Sequence, residues 1–544
     1  MKKLIFTTCI FLLLTTLTYS KDYPKNENID VKKYIFELTL SDSTNTISGK
    51  ATVTVQFRKA VSEFELDLVN KDASGSGMEV TNIMADGKTI KFLHQNDRLK
   101  IILPAPVNIA STISFTIIYS GVPRDGLIIS KNKFGDRTFF GDNWPNRAHH
   151  WLPTVDHPSD KAAVDFIVTA PPKYEVISNG IKIEESNIGN RQKLTHWHED
   201  TELSPKVMVI GAARFAIKQT GIIKNFEVTS WVYPQNREEG FEAYKFAPRI
   251  LDFFDTHVGP YSYKKLANVQ STTRYGGMEN ASNIFYFENS VVTGEGAENN
   301  ATKNESLVAH EIAHQWFGNS ASETDWHHVW LSEGFATYLT HLYTEFTYGR
   351  DRMTKNLQED RDKVIGFYQK TKLPIVFPSL PGDLLEILSP NSYQKGSWVL
   401  HMLRYEIGDE AFWSGLQSYY HSYRNSNAST ENFKQAMEDA SGKKLDTFFA
   451  QWLYRAGHPI VEWNWAFDVK TQNVTVTVNQ VQPGEAFNTP LEIGIYGNDG
   501  LISQTEVVRL DKKSNKFSFK IGQKPFKIAL DPNTNLLYEG KIKN

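Results

Sequence analysis

Residues 308–319 read VAHEIAHQWFGN, and no other stretch limits the fold as tightly. Two histidines and a glutamate fall within about one turn of an otherwise apolar segment. Polar side chains of this kind are rarely buried without partners. On a helix His310 and His314 project from one face, one turn apart, so two imidazoles can grip one ion. Glu311 stands beside the same opening. A catalytic zinc takes three protein ligands and keeps a fourth position for water, so the pair needs a third donor. Glu333, nineteen residues beyond His314 in VWLSEGFATYL, is the candidate. A second helix antiparallel to the first brings it to the ion, and FGNSASETDWHH holds enough turn residues for the return. Glu311 is then free to take a proton from a water whose pKa the ion lowers toward ~7. A bare H-E-x-x-H arises by chance in long chains. The competing reading, two core histidines with satisfied hydrogen bonds, does not account for the glutamate on its own helix. His149, His150, His327 and His328 read as packed or exposed imidazoles, and Trp316, Phe317, Trp330 and Phe335 as core.

The hydrophobic period divides the rest of the chain. ATVTVQF (51–57), EFELDLV (63–69), ISFTIIYSG (113–121) and DFIVTAP (165–171) alternate apolar and polar residues, as half-buried antiparallel strands do. Turn residues such as SGSG (74–77) and ADGK (85–88) punctuate them. From about 240 the period becomes helical. Helices are expected over 238–259, 304–321 with Asn304 as cap, 329–349, 395–408, 409–425 and 429–442, with a strand insertion near 268–290. After residue 457 alternation returns in NVTVTVNQV (473–481), which fits a small β-sandwich. The expected division is a leader over 1–20, a β domain over 21–215, a mainly helical domain over 216–456 and a sandwich over 457–544: a multidomain α+β chain.

Of 544 residues, 40% are hydrophobic and 22% charged, an ordinary globular balance. The net charge of −3 provides no basic face for a nucleic acid. MKK followed by LIFTTCIFLLLTTLTY reads as a signal peptide cleaved after Ser20, since the apolar run is shorter than the ~20 residues a span needs. The chain is therefore expected outside the cytoplasm, periplasmic or extracellular, without stable membrane insertion. Losing Lys2 and Lys3 takes the charge from −3 to −5, and losing Cys9 leaves no cysteine for disulfides or thiolate ligands. Oligomeric state has no signature here.

HEIAHQWFGN followed by WLSEGFATYL resembles the gluzincin aminopeptidases of the aminopeptidase N and leukotriene hydrolase group. YGGMENAS (275–282) matches their exopeptidase signature, and NSYQKGSWVLHML (391–403) their Y-x-K-G run. HHWLPTVDHPSDKA (149–162) and FFAQWLYRAGHP (448–459) are shorter matches, so the resemblance spans nearly the whole chain after the leader. It implies a saddle-like N-terminal β domain, a thermolysin-like catalytic domain, one Zn2+ per chain held by His310, His314 and Glu333, and peptide substrates with a free N-terminus. It implies Glu311 as general base, Glu279 as the ligand of the substrate's α-amino group, and Tyr393 as donor to the tetrahedral intermediate's oxyanion. Gly276, Gly277 and Met278 then let substrate backbone approach and line the first side chain's pocket.

The sequence departs from that pattern in three places. Thr340 stands where the family often has an acid oriented toward a ligand histidine, so Asp325 or a backbone carbonyl is left to fill the role. Trp144 lies near the position of a second amine-binding Gln or Glu. Relatives carry a further helical domain after the sandwich, and its absence would leave an open cleft for peptides of varied length.

Overall fold

The computed structural model describes residues 25–189, 191–290 and 297–543; the expected leader, its cleavage point after Ser20 and Cys9 lie outside them. The first part of the chain is strand almost throughout. Ile47–Phe57 buries every second side chain, because successive residues of a pleated strand face opposite ways. It sits inside an eight-stranded sheet ordered Ile181–Ile188, Gln192–Leu203, Ala162–Ala170, Ile29–Thr39, Ile47–Phe57, Thr112–Val122, Gly77–Ala85 and Lys88–Thr89. Ile29–Thr39 and Ala162–Ala170 pair in parallel, which carries the stretch just before Ala162 into the middle of the molecule. A four-stranded and a three-stranded sheet complete this part.

The middle part is helical around one five-stranded sheet, ordered Ala216–Ile223, Phe226–Val232, Lys265–Ser271, Asn283–Phe287 and Gly277–Met278. The edge pair Gly277–Met278 runs antiparallel to Asn283–Phe287 and delivers the residues after it to the histidine helix. The helix expected over 238–259 is two, Arg237–Ala243 and Ala247–His257. Pro248 opens the second, and its ring is tolerated only in a first turn. The histidine helix spans Ala297–Ala313, so Asn304 lies inside it and is not its cap. His314 follows the last helical residue but keeps the helical bond, its N–H donating to the His310 carbonyl at 3.2 Å.

The glutamate helix, Trp330–Tyr348, crosses the helix Gly396–Ile407 at two glycines. A Cβ on Gly334 would stand 2.9 Å from the Gly396 Cα and 3.1 Å from the Ser392 carbonyl oxygen. Backbone therefore meets backbone, and residues 391–395, one π-helical turn, are drawn against the first turn of the glutamate helix. The last part of the chain forms two facing sheets, ordered Ser514–Lys520, Asn473–Gln480, Ile460–Asp468, Glu539–Ile542 and Ile502–Leu510, Thr489–Tyr496, Lys527–Leu530. It is tied to the helices by Arg361, which donates to Asp531 and to the Leu536 carbonyl. Among the described residues no helix is long and apolar enough to cross a membrane.

The glycine crossing yields a test. Gly334→Ala forces the two helices apart and is expected to destabilise by about 1–3 kcal/mol, lowering Tm by a few degrees in a thermal melt. Gly366→Ala, inside the helix Arg350–Lys370 with nothing within 4 Å of the new Cβ, is expected to leave Tm unchanged or raise it. Equal effects from the two would remove the crossing's special status.

Candidate metal centre

The structure brings His310, His314 and Glu333 to one point. Their free side-chain atoms are 3.1 Å apart between the two Nε2, 3.3 Å from His314 Nε2 to Glu333 Oε2, and 3.6 Å from His310 Nε2 to the same oxygen. Nitrogen and oxygen donors ~2.0–2.2 Å from a tetrahedral ion stand roughly 3.3–3.6 Å apart. The three atoms thus form one face of such a tetrahedron, and Glu333 Oε2, which is buried, makes no hydrogen bond within the protein.

The local folding explains each position. Four-residue spacing stacks the imidazoles, whose rings lie 4.7 Å apart and nearly perpendicular. Glu333 lies in the first turn of its helix, where unpaired backbone N–H groups favour a carboxylate. His314 Nδ1 faces the Phe317 carbonyl at 3.2 Å and the Ser332 hydroxyl at 3.0 Å. A proton on Nδ1, given to that carbonyl, would leave the Nε2 lone pair free to hold an ion. The role left open at Thr340 is therefore filled for His314 by a backbone carbonyl, whereas Thr340 donates to the Ala336 carbonyl of its own helix and Asp325 caps the short turn at Trp326–His328.

Charge in the site is lopsided. Glu279, Glu311 and Glu333 are 5%, 5% and 3% exposed. Burial pushes the Glu311 carboxyl well above the usual range; His314 opposes this, and Glu279 and Glu333 add to it. Burial also raises Glu279, with His314 opposing. Burial would raise Glu333 as well, but His314 and His310 hold it below the ordinary carboxylate range. Burial would lower His314, yet Glu333, Glu279 and Glu311 push it up to about 10. The carboxylates thus favour a positive charge at that imidazole, which a proton or a bound cation would supply.

Tyr393 lies in the π-helical turn, its ring stacked on His310 at 5.9 Å. Burial raises its phenol well above 10, and the three carboxylates add to the effect, so it remains a hydrogen donor. On the other side, Gly277 touches Glu311: a Cβ there would fall 2.2 Å from Glu311 Oε1. Gly276 is exposed, Met278 is buried, and Glu279 Oε1 is buried without a hydrogen-bond partner. Two residues that sequence reasoning passed over fix this loop. Gln315 Nε2 donates to the Glu279 carbonyl at 2.9 Å and its Oε1 accepts from the Ser282 N–H at 2.8 Å, while Asn319 Nδ2 donates to the same Glu279 carbonyl. Their signal was present as two amides four residues apart just after the two histidines. His149, His327 and His328 are tied to Asp156, the Phe377 carbonyl and Thr430. Trp144 packs edge-on against Trp326 at 5.3 Å.

Comparison with known proteins meets this geometry from another side. Residues 29–205 match the Peptidase M1 N-terminal domain and residues 242–452 the Peptidase family M1 domain. The chain is 27% identical to human glutamyl aminopeptidase over 68% of its own length and 40% of that protein's. It is 24% identical to probable aminopeptidase 1 of Saccharolobus solfataricus over 94% of its own length and 65% of that protein's. The two family domains lie in their expected order, and the second contains all three atoms of the candidate metal centre. The chain belongs to peptidase family M1.

Proposed function

We propose that the chain is a zinc-dependent aminopeptidase that hydrolyses the first peptide bond of peptides with a free N-terminus, with Glu311 as general base. The observation that carries this reading is the near-tetrahedral spacing of His310, His314 and Glu333 beside a buried, unpartnered Glu279. Two imidazoles and one carboxylate suit zinc. Bound zinc supplies a water of pKa ~7 and a Lewis acid for the peptide carbonyl.

The chain's own groups do the rest. Glu279 receives the substrate ammonium, a charge-assisted bond in a dry site. That bond restricts cleavage to the first residue, since an internal peptide bond offers no ammonium. Glu311 takes the water's proton and passes it to the leaving amine; burial makes it a stronger base than a solvated carboxylate. Tyr393 donates its hydroxyl to the carbonyl oxygen as negative charge grows there. Gly276 and Gly277 admit the substrate backbone, and Met278 offers an apolar wall for the first side chain.

Elemental analysis is expected to find one zinc per chain, removed by a chelator together with all turnover. Glu311→Gln should keep the zinc and lower kcat by about 10²–10⁴, whereas His314→Ala should lose the metal. Zinc lost in Glu311→Gln, or turnover that survives chelation, refutes the assignment. An unblocked aminoacyl amide should be cleaved and its N-acetylated twin should not, with Glu279→Ala abolishing the distinction; equal cleavage by the wild-type chain would exclude an exopeptidase. Tyr393→Phe should lower kcat by about 10²–10³ with little change in KM, and an unchanged kcat would remove Tyr393 from the oxyanion site.

A further inference from the structure

The HHWLPTVDHPSDKA stretch takes no part in the chemistry above, yet its Lys161 reaches deep into the helical part of the molecule. Lys161 immediately precedes the strand Ala162–Ala170 and is buried. Its Nζ donates to the carbonyl oxygens of Asn319 at 3.1 Å, Ser320 at 2.7 Å and Ser426 at 2.9 Å. Three ammonium protons meet three backbone carbonyls, and no carboxylate is among these acceptors. The charged groups around it are Lys206, Glu323 and Glu202, the first two of which pair with each other. Burial pulls the ammonium down to about 7, Lys206 adding to this and Glu323 and Glu202 opposing it. A buried charge spent on carbonyls is a poor source of stability, but it holds one segment in one place.

That segment holds Glu279. The Asn319 N–H donates to the His314 carbonyl at 3.1 Å, and Asn319 Nδ2 donates to the Glu279 carbonyl. Lys161 is therefore linked through Asn319 to the backbone carbonyl of Glu279, whose carboxylate is proposed to bind the substrate amine. The far end of the same loop is tied to the strand-rich part as well: Asn179 Nδ2 donates to the Ala281 carbonyl at 2.7 Å, and Lys265 Nζ, from the middle sheet, bridges the Ser178 and Ser282 carbonyls at 2.8 and 3.1 Å.

We propose that Lys161 is a positioning residue for Glu279: through Asn319 it sets where the amine-binding carboxylate stands, so that the strand-rich N-terminal part fixes how a peptide's first residue is held. This rests on the reading of Glu279 as the amine anchor. The experiment uses the full zinc-loaded chain and measures kcat and KM for an aminoacyl amide. It also measures the Ki ratio between an amine-bearing competitive inhibitor and its des-amino twin. Lys161→Met is expected to raise KM about tenfold and to shrink the Ki ratio by a similar factor, with kcat and zinc content close to wild type. Lys161→Arg keeps the charge and should retain more of the ratio. Lys161→Met combined with Asn319→Ala should do no more than the larger single change, because the two act in series. If Lys161→Met does not fold, Lys161→Gln, which keeps two donors without the charge, carries the same comparison. A lower Tm with KM and Ki ratio unchanged, or additive effects in the double variant, overturns the proposal. A wild-type chain with no preference for the amine sinks the reading of Glu279 itself and the proposal with it; a wild-type preference that survives in Lys161→Met sinks the proposal alone.

Discussion

Three carboxylates share one buried site with two imidazoles, and nearly everything else about the middle of the molecule follows from that. A carboxylate removed from water is costly unless a positive charge or several donors meet it. Among the described residues no lysine or arginine forms an ion pair with Glu279, Glu311 or Glu333; the groups that face Glu333 Oε2 are the two imidazoles. The protein has thus left a charge to be supplied from outside. One unit belongs at the histidine pair, where an ion fits, and another at Glu279 Oε1, which faces no donor. The same imbalance suits a cation at the histidine pair and, on the proposed reading, an ammonium at Glu279.

Assembling so much charge in a small volume requires elements to approach more closely than side chains permit. Gly277 lets a strand edge lie on Glu311, and Gly334 and Gly396 let two helices touch through their backbones. Gly318 has φ +114°, a conformation that L side chains rarely adopt, and a Cβ there would fall 2.2 Å from the Ser332 hydroxyl, the group that faces His314 Nδ1. Gly277 and Gly318 lie against side chains of the site and Gly334 and Gly396 against each other's backbone, so the absence of a Cβ is the means by which separate elements converge. The π-helical turn at Tyr393 acts in the same sense, since one extra residue in the turn re-aims the phenol toward the histidines.

The sequence made the candidate site residues easy to see and their supports hard. His310, His314 and Glu333 are legible because imidazoles in an apolar helix at four-residue spacing have few other uses. The strands of the first and last parts are legible because one face is solvated and the alternation survives. The helix Arg350–Lys370 escaped notice: only Met353, Leu357, Asp360 and Val364 are buried, a stripe one residue wide on an otherwise charged surface. The break before Ala247 carried its own signal in Pro248, which apolar periodicity overrode. Which carbonyl faces His314, beside the Ser332 hydroxyl, had no signal in the sequence. It is that of Phe317, and its direction depends on the turn that follows the helix.

Buried ammonium groups mark the seam between the strand-rich part and the helical part. Lys161 and Lys265 each donate to three oxygens of the backbone or a serine, and Lys206 pairs with Glu323 over the Trp326 ring. Apolar side chains of the same volume would bury as well and cost less. They would not distinguish one register of the seam from another, because dispersion contacts vary gradually with displacement, whereas three charge-assisted bonds to fixed carbonyls lapse within an ångström or so. The two lysines on carbonyls reach the segments that carry Glu279, so the seam's specificity bears on the site and not on the fold at large. A chain that needs a carboxylate placed to within half an ångström has reason to accept a less stable interface there.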